Sequence, residues 1–292
     1  MKPRCAVGIA LHPKAKKLLE ETYMYAGMDA ADEAEAALVY GVPDEWMKTA
    51  KKLRAVGCHS CSREFEAWAA AKGVSIVKAD SLWRTVAEHT LALAMAAARN
   101  VPQSDEAVRQ GKWQDHEGLK VLFSGHDFQG RTFGIWGMGQ IGRELAALLK
   151  GFSMEVLYSD IRPLPSEEEK RLGVSWVKFQ ELLARSDYFC VLVPHNASTD
   201  RLFGREAFSA LKKGCIFINT ARAGIVDKEA FIEAMEKGRI GAAALDVVWE
   251  EARPQPEELL RFKNLIFTPH LGGSTFECDA FLVRGISAVQ GA

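Results

Sequence analysis

Short apolar runs alternating with amphipathic stretches along 292 residues predict an α/β protein built from two domains. Three observations carry this expectation. The chain is longer than most single hydrophobic cores can fill. Strand-like runs at 5–10, 36–42 and 74–77 alternate with helical stretches at 13–25, 44–53 and 63–72, which gives a first, small α/β layer. From residue 133 onward, strands are expected at 133–136, 155–159, 188–193, 215–219, 242–246 and 265–268, with helices at 140–151, 179–185, 205–211 and 227–237, the rhythm of a doubly wound parallel sheet. Between the layers, a long Ala-rich helix at about 86–99 ends before Val101-Pro102. A charged helix at 103–111 then leads into a turn-rich stretch from Gly111 to Gly130.

The most informative segment runs from Phe133 to Asp160: a strand, a G-x-G-x-x-G turn, an amphipathic helix and a second strand ending in an acid. Gly137 makes the tight turn, Gly139 lets the backbone approach a pyrophosphate, and Gly142 lets the helix pack close to the strand. Ile141, Leu145, Leu148 and Leu149 mark one helical face, and Glu155-Val156-Leu157-Tyr158 has strand character. A pyrophosphate would sit among the unpaired N–H groups of the helix N-terminus, at Met138, Gln140 and Ile141. Asp160, 18 residues beyond Gly142, suits a ribose 2′-OH and would repel a 2′-phosphate. NAD is therefore expected over NADP, although Arg162 two residues on works against that preference.

Composition excludes several function classes. With 37 basic and 38 acidic residues the net charge is −1, so no electrostatic footprint for nucleic acid or an anionic membrane exists. The longest apolar run, Thr90 to Ala98, is about half a bilayer span, and the N-terminus leads into a strand, not a secretory segment. A cytoplasmic setting with reduced, mostly buried thiols is expected for the six cysteines. Cys58-His59-Ser60-Cys61 is a C-x-x-C without a second ligand pair, so it reads as a loop after a strand beginning at Leu53 to Val56, and no metal is expected. The acidic run Ser166 to Lys170 reads as a solvated helix start.

Three polar groups follow strand ends of the second layer: Asn219-Thr220-Ala221-Arg222; Asp246 with Glu250 and Glu251; and Thr268-Pro269-His270. Open α/β sheets bind ligands at the carboxyl ends of their strands, so these groups have a common address. Arg is a fixed bidentate cation suited to a carboxylate, and a His paired with a carboxylate serves as general acid or base.

In these residues the sequence resembles the D-isomer specific 2-hydroxyacid dehydrogenases. The stretches that carry the resemblance are Val86 to Thr90, Arg109 to Trp113, Gly134 to Gly142, Asn219 to Asp227, Gly241 to Val247 and Pro269 to Ser274. The resemblance implies a Rossmann NAD-binding domain (99–274) inserted in a smaller flavodoxin-like substrate domain (1–98 plus 275–292), with the active site in the cleft between them. It implies that Arg222 holds the substrate carboxylate, that His270 exchanges a proton with the keto oxygen, and that Glu251 orients the imidazole. Asp246 would contact the nicotinamide end, with Pro194, Thr220, Ala221 and Gly272 also lining the cofactor site. It further implies a homodimer formed through the 86–99 helix and the segment to Trp113.

The chain also departs from the pattern. Ala252-Arg253-Pro254 follows Glu251 where the family has its proline directly, so Glu250 competes with Glu251 for the orienting role. Where relatives have a Gly-rich loop for the substrate carboxylate, this chain has Cys58, His59 and Ser60, which places a titratable imidazole at the pocket. That substitution leaves oxidation of a phosphonate or phosphite anion as an alternative activity. An NAD-binding corepressor-like scaffold is the alternative from another class. His195, after Pro194, reads as structural. The chain stops 22 residues after His270, so a short C-terminal helix is expected.

Overall fold

The computed structural model describes residues 2–79, 82–250 and 257–290. Its contacts divide the chain into two compact units, Met1–Thr85 with Gly273–Ala292, and Val86–Gly272.

The first unit contains β1 (Arg4–Val7), α1 (Pro13–Thr22), β2 (Met24–Ala26), β3 (Ala36–Gly41), α2 (Trp46–Thr49), β4 (Ala55–Ser60), α3 (Arg63–Lys72), β5 (Ser75–Lys78) and the C-terminal helix Phe276–Gln290. The strands are parallel in the order β2-β1-β3-β4-β5, the flavodoxin-like order. Alternation along each strand feeds two cores. Ala6, Ala37, Val39, Val56 and Cys58 pack with Trp46, Phe65 and Ala69 on one face. On the other face, Cys5, Val7, Leu38 and Ala55 meet Leu19 from α1, Tyr23 just after it, and Leu282, Val283 and Ile286 from the C-terminal helix. That helix lies close because Gly57 has no side chain: a Cβ there would stand 2.6 Å from Leu38 and 3.4 Å from Leu282. Local chemistry sets the helix starts. Pro13 opens α1 while the His12 ring accepts the Lys14 N–H, and Ser62 caps α3 by accepting from Phe65 N at 3.1 Å.

The second unit contains α4 (Leu82–Ala98, from Val86 onward), α5 (Val101–Arg109), α6 (His116–Leu122), β6 (Thr132–Trp136), α7 (Gln140–Leu149), β7 (Glu155–Ser159), α8 (Ser166–Leu172), β8 (Val174–Trp176), α9 (Phe179–Arg185), β9 (Tyr188–Val191), α10 (Arg205–Ala210), β10 (Cys215–Asn219), α11 (Lys228–Glu236), β11 (Ile240–Leu245), α12 (Glu257–Leu260) and β12 (Leu265–Phe267). The expected doubly wound sheet is present: all strands are parallel, in the order β12-β11-β10-β9-β6-β7-β8. Both faces are buried, which is why its strands read as continuous apolar runs. β10 shows this directly: Phe217 joins Phe189, Phe203, Phe208 and Phe231 on one face. Ile216 and Ile218 join Ile135, Tyr188, Leu145 and the small residues Ala87, Ala94 and Ala97 of α4 on the other. The strand order reverses between β6 and β9, so the glycine turn after β6 lies at the topological switch point.

Four expectations differ from the structure. β4 continues through Cys58 and His59, where a loop was expected, because Val56 and Cys58, two apart, both enter the same buried cluster. The stretch expected to be turns after Gly111 holds a 3-10 turn (Lys112–Asp115) and α6. Most of α4 groups with the second unit, whereas the sequence placed the boundary after residue 98, because its Ala face packs on the second sheet. The helix expected over 13–25 ends at Thr22 and β2 follows it at Met24–Ala26; β2 and β8, three residues each, carry too little pattern to be expected from sequence.

The turn around Arg222 is tied to α11 through Asp227. Its carboxylate caps α11 by accepting from Ala230 N at 2.9 Å and takes the Arg201 Nε–H at 3.0 Å. The bond from Ala230 and then the Arg201 contact hold this carboxyl below its usual range. The stabilisation is therefore present above the ordinary carboxylate pKa and is lost as pH falls through the lower native value. Asp227→Ala is expected to cost about 1 kcal/mol at neutral pH, with the gap to wild type closing as pH falls below the ordinary carboxylate range. Urea denaturation of both proteins across that range checks it, and a gap independent of pH contradicts it.

Candidate active site

β10, β11 and β12 are neighbours in the sheet, so the segments leaving their carboxyl ends emerge side by side. Arg222 follows β10, Asp246 terminates β11 and His270 follows β12. The Arg222 turn is built by Asn219, a buried residue whose Oδ1 accepts the Ala221 N–H at 3.0 Å and whose Nδ2 donates to Arg222 O at 3.1 Å. The side chain of Arg222 is exposed, with Nη1 donating to Ala221 O at 2.6 Å. Thr220 is buried and shares a 2.7 Å hydroxyl contact with Thr90 of α4.

Asp246 organises the segment after β12. It is 2% exposed, and its Oδ1 accepts from Thr268 Oγ1 at 2.6 Å and from Leu271 N at 2.7 Å. Oδ2 accepts from Gly272 N at 2.8 Å, and the Asp246 carbonyl accepts from His270 N at 3.0 Å. Nε2 of His89 lies 3.2 Å from Oδ1 and 3.1 Å from Thr268 Oγ1. Burial alone would push this carboxyl up, but the bonds from His89, Thr268, Leu271 and Gly272 outweigh it and hold the group below its usual range. The carboxylate expected at the nicotinamide end is thus engaged mainly with its own chain, leaving acceptor capacity on Oδ2. His270 is exposed and stands at φ 56°, a left-handed conformation in which His is over-represented among side-chain-bearing residues and which often marks functional turns. Gly272 beside it gives the carboxylate room, since a Cβ there would stand only 3.0 Å from Asp246 Oδ2. Glu251 lies outside the described residues; Glu250 sits exposed on the turn after Trp249.

The glycine turn is shaped for a phosphate backbone. Gly137 has φ 107°, and a Cβ on it would meet the backbone of Leu192 and Val193 at 2.7 Å. A Cβ on Gly142 would stand 2.4 Å from Gly137 O. Gly139, by contrast, faces open space, and α7 begins there with no side-chain cap, so the first N–H groups around Gln140 and Ile141 keep no side-chain acceptor. A pyrophosphate fits this cradle. Asp160, half-buried at the end of β7, accepts the Met138 N–H at 2.7 Å, which joins the acid to the turn, while Arg162 is exposed. Pro194 lies just past β9, next to the turn's neighbours Leu192 and Val193. His195 pairs with Asp200 at 2.8 Å, and its ring occupies the space that a Cβ on Gly224 would need.

In the first unit, Cys58 is fully buried and burial pushes its thiol up to about 12, which disfavours the thiolate needed for redox or metal chemistry. His59 is half-buried, its ring tilted by 32° against Tyr40 at 5.1 Å between ring centres, and burial lowers its pKa against the opposing pull of Asp279. Asp279 in turn is raised by burial and accepts the His12 N–H at 2.7 Å. Ser60 ends the strand. His12, Tyr40 and Asp279 escaped the sequence reading, as did His89, which figured there only inside a motif.

Residues 91–272 match the family model described as D-isomer specific 2-hydroxyacid dehydrogenase, NAD binding domain. The chain is 34% identical over 286 residues to a D-3-phosphoglycerate dehydrogenase of Methanocaldococcus jannaschii, covering 92% of this chain and 53% of that protein. It is 42% identical over 197 residues to a D-3-phosphoglycerate dehydrogenase of Archaeoglobus fulgidus, covering 67% of this chain and 36% of that protein. The chain thus spans about half the length, or less, of these two curated relatives. A glyoxylate/hydroxypyruvate reductase B of Yersinia enterocolitica is 35% identical over 256 residues, covering 86% of this chain and 78% of that one. A crystal structure of a protein from Thermus thermophilus superposes with a TM-score of 0.79 at 29% identity, covering 99% of this chain and 97% of that chain. The chain belongs to the D-isomer specific 2-hydroxyacid dehydrogenases.

Proposed function

We propose that this protein is an NAD-dependent oxidoreductase that interconverts a small D-2-hydroxy acid and its 2-keto acid. The observation that carries the reading is the emergence of Arg222, Asp246 and His270 from the carboxyl ends of the adjacent strands β10, β11 and β12. The exposed guanidinium of Arg222 grips the substrate carboxylate and stabilises charge that grows on the keto oxygen. His270 gives its proton to that oxygen in reduction and takes it back in oxidation. Glu251 is assigned to orient the imidazole. NAD, when bound, supplies or accepts the hydride. Asp160 accepts from the ribose hydroxyls and disfavours a 2′-phosphate, while Pro194, Thr220, Ala221 and Gly272 line the same site.

A homodimer in the cytoplasm completes the reading. Trp113, Val121 and Leu122, on the stretch around α6, are 66%, 79% and 69% exposed, an apolar surface suited to a second copy. The six cysteines are all free thiols, as a reducing compartment favours.

Two outcomes are expected. In NADH oxidation assays with glyoxylate, hydroxypyruvate, pyruvate and phenylpyruvate, Arg222→Ala is expected to lower kcat/KM for the best substrate by about a hundredfold or more, and His270→Ala by a similar or larger factor. Undiminished rates in either variant contradict the assignment. For Asp160→Ala, the ratio of kcat/KM with NADH to that with NADPH is expected to fall by at least about tenfold, the cost of losing a charged hydrogen bond to the ribose. An unchanged ratio means that Asp160 does not choose the cofactor.

A further inference from the structure

His89 stands on α4, 157 residues before the acid it touches, and has no part in the chemistry just described. Its environment leaves little freedom. α4 is pinned to the second sheet by Ala87, Leu93, Ala94 and Ala97, and the next residue, Thr90, bonds to Val86 O and to the Thr220 hydroxyl, both at 2.7 Å. The imidazole is held at 20% exposure against a carboxylate that is 1% exposed.

The hydrogen inventory fixes which way this contact runs. Thr268 Oγ1 spends its only proton on Asp246 Oδ1, at 2.6 Å. Nε2 of His89 then faces two acceptors, Oδ1 at 3.2 Å and the Thr268 hydroxyl oxygen at 3.1 Å. It must therefore carry a proton and donate into the pair. That donation sets the rotamer of Asp246, and Asp246 in turn receives the N–H groups of His270, Leu271 and Gly272 through its carbonyl and both carboxylate oxygens. The left-handed conformation of His270 is unfavourable by itself and persists only where surrounding bonds impose it.

We propose that His89 is a positioning residue: by donating from Nε2 to Asp246 and Thr268 it locks the turn that presents His270 to the substrate. The inference rests on the reading of His270 as the group that exchanges the proton. His89 touches neither substrate nor cofactor in this role. Its effect falls on how often the His270 turn holds its active shape, and so on kcat more than on KM.

The test compares His89→Asn with His89→Gln. Both are polar and of similar size, but only the longer Gln amide reaches the place of Nε2. Hydrogen–deuterium exchange of the Leu271 and Gly272 amides, read in the protein without cofactor, is expected to quicken by about tenfold or more in His89→Asn and to stay near wild type in His89→Gln, since a hydrogen bond to a charged group is lost in one and kept in the other. With NADH and hydroxypyruvate, kcat is expected to follow the same order with KM little changed. Should His89→Asn unfold, His89→Leu, which fills the same space without a donor, takes its place and is expected to quicken the same amides. Exchange at wild-type rates in His89→Asn, or equal defects in Asn and Gln, overturns the proposal. A His270→Ala variant assayed in parallel separates the two claims: if it retains full activity, the reading of His270 fails, while the exchange data still decide whether His89 locks the turn.

Discussion

One buried carboxylate holds this site together. Asp246 closes β11 with almost no exposure, in a place where an isolated charge would be costly to keep. Its pKa is held below the usual range because its oxygens accept from Thr268, Leu271, Gly272 and His89. The same bonds that stabilise the charge dictate the path of the chain after β12. Without them nothing in the local sequence would keep His270 at a positive φ, and Pro269 before it fixes only its own angle. The acid thus links sheet, turn and imidazole in a single constraint.

The rest of the second unit supplies the setting for that constraint. Parallel strands buried on both faces bring three carboxyl ends into one row, and small side chains let the neighbouring elements come close. Asn219 does for Arg222 what Asp246 does for His270, using a neutral amide to staple a turn at the end of β10. On the far side of the switch point, Gly137 and Gly142 bring α7 against β6 and β9, and Asp160 fastens the turn by accepting the Met138 N–H. Arg222, His270 and the glycine turn are thereby all attached to one sheet, the fixed orientation that the proposed hydride transfer would demand.

Much of this was legible in the sequence because its signals are local. The glycine turn, the helix after it and the acid at the end of β7 form one continuous segment, and strands buried on both faces announce themselves as apolar runs. Arg222 and His270 stood out by following such runs. Asp246 and Asn219 stood out in the same way, but the link from Asp246 to His89 did not, since the two are far apart in sequence and only the fold joins them. The extension of β4 through Cys58 and His59 was hidden because a C-x-x-C reads as a loop, although alternate burial of Val56 and Cys58 continues the strand. α6 was hidden inside the stretch from Gly111 to Gly130 that read as turn-rich, although Leu119 and Leu122 stand at helical spacing. Glu251, named from the motif, lies outside the described residues.

The decisive point is whether Asp246 governs geometry and not merely cofactor affinity. The direct measurement is the single-turnover rate of hydride transfer in Asp246→Asn, set beside its equilibrium affinity for NADH. Loss of the charge loosens the His270 turn, so the rate is expected to fall by about a hundredfold, as a displacement near 1 Å produces, while NADH binds within a few-fold of wild type. A variant that binds NADH poorly yet transfers hydride at the full rate once saturated would contradict the account and return Asp246 to a simple contact with the cofactor.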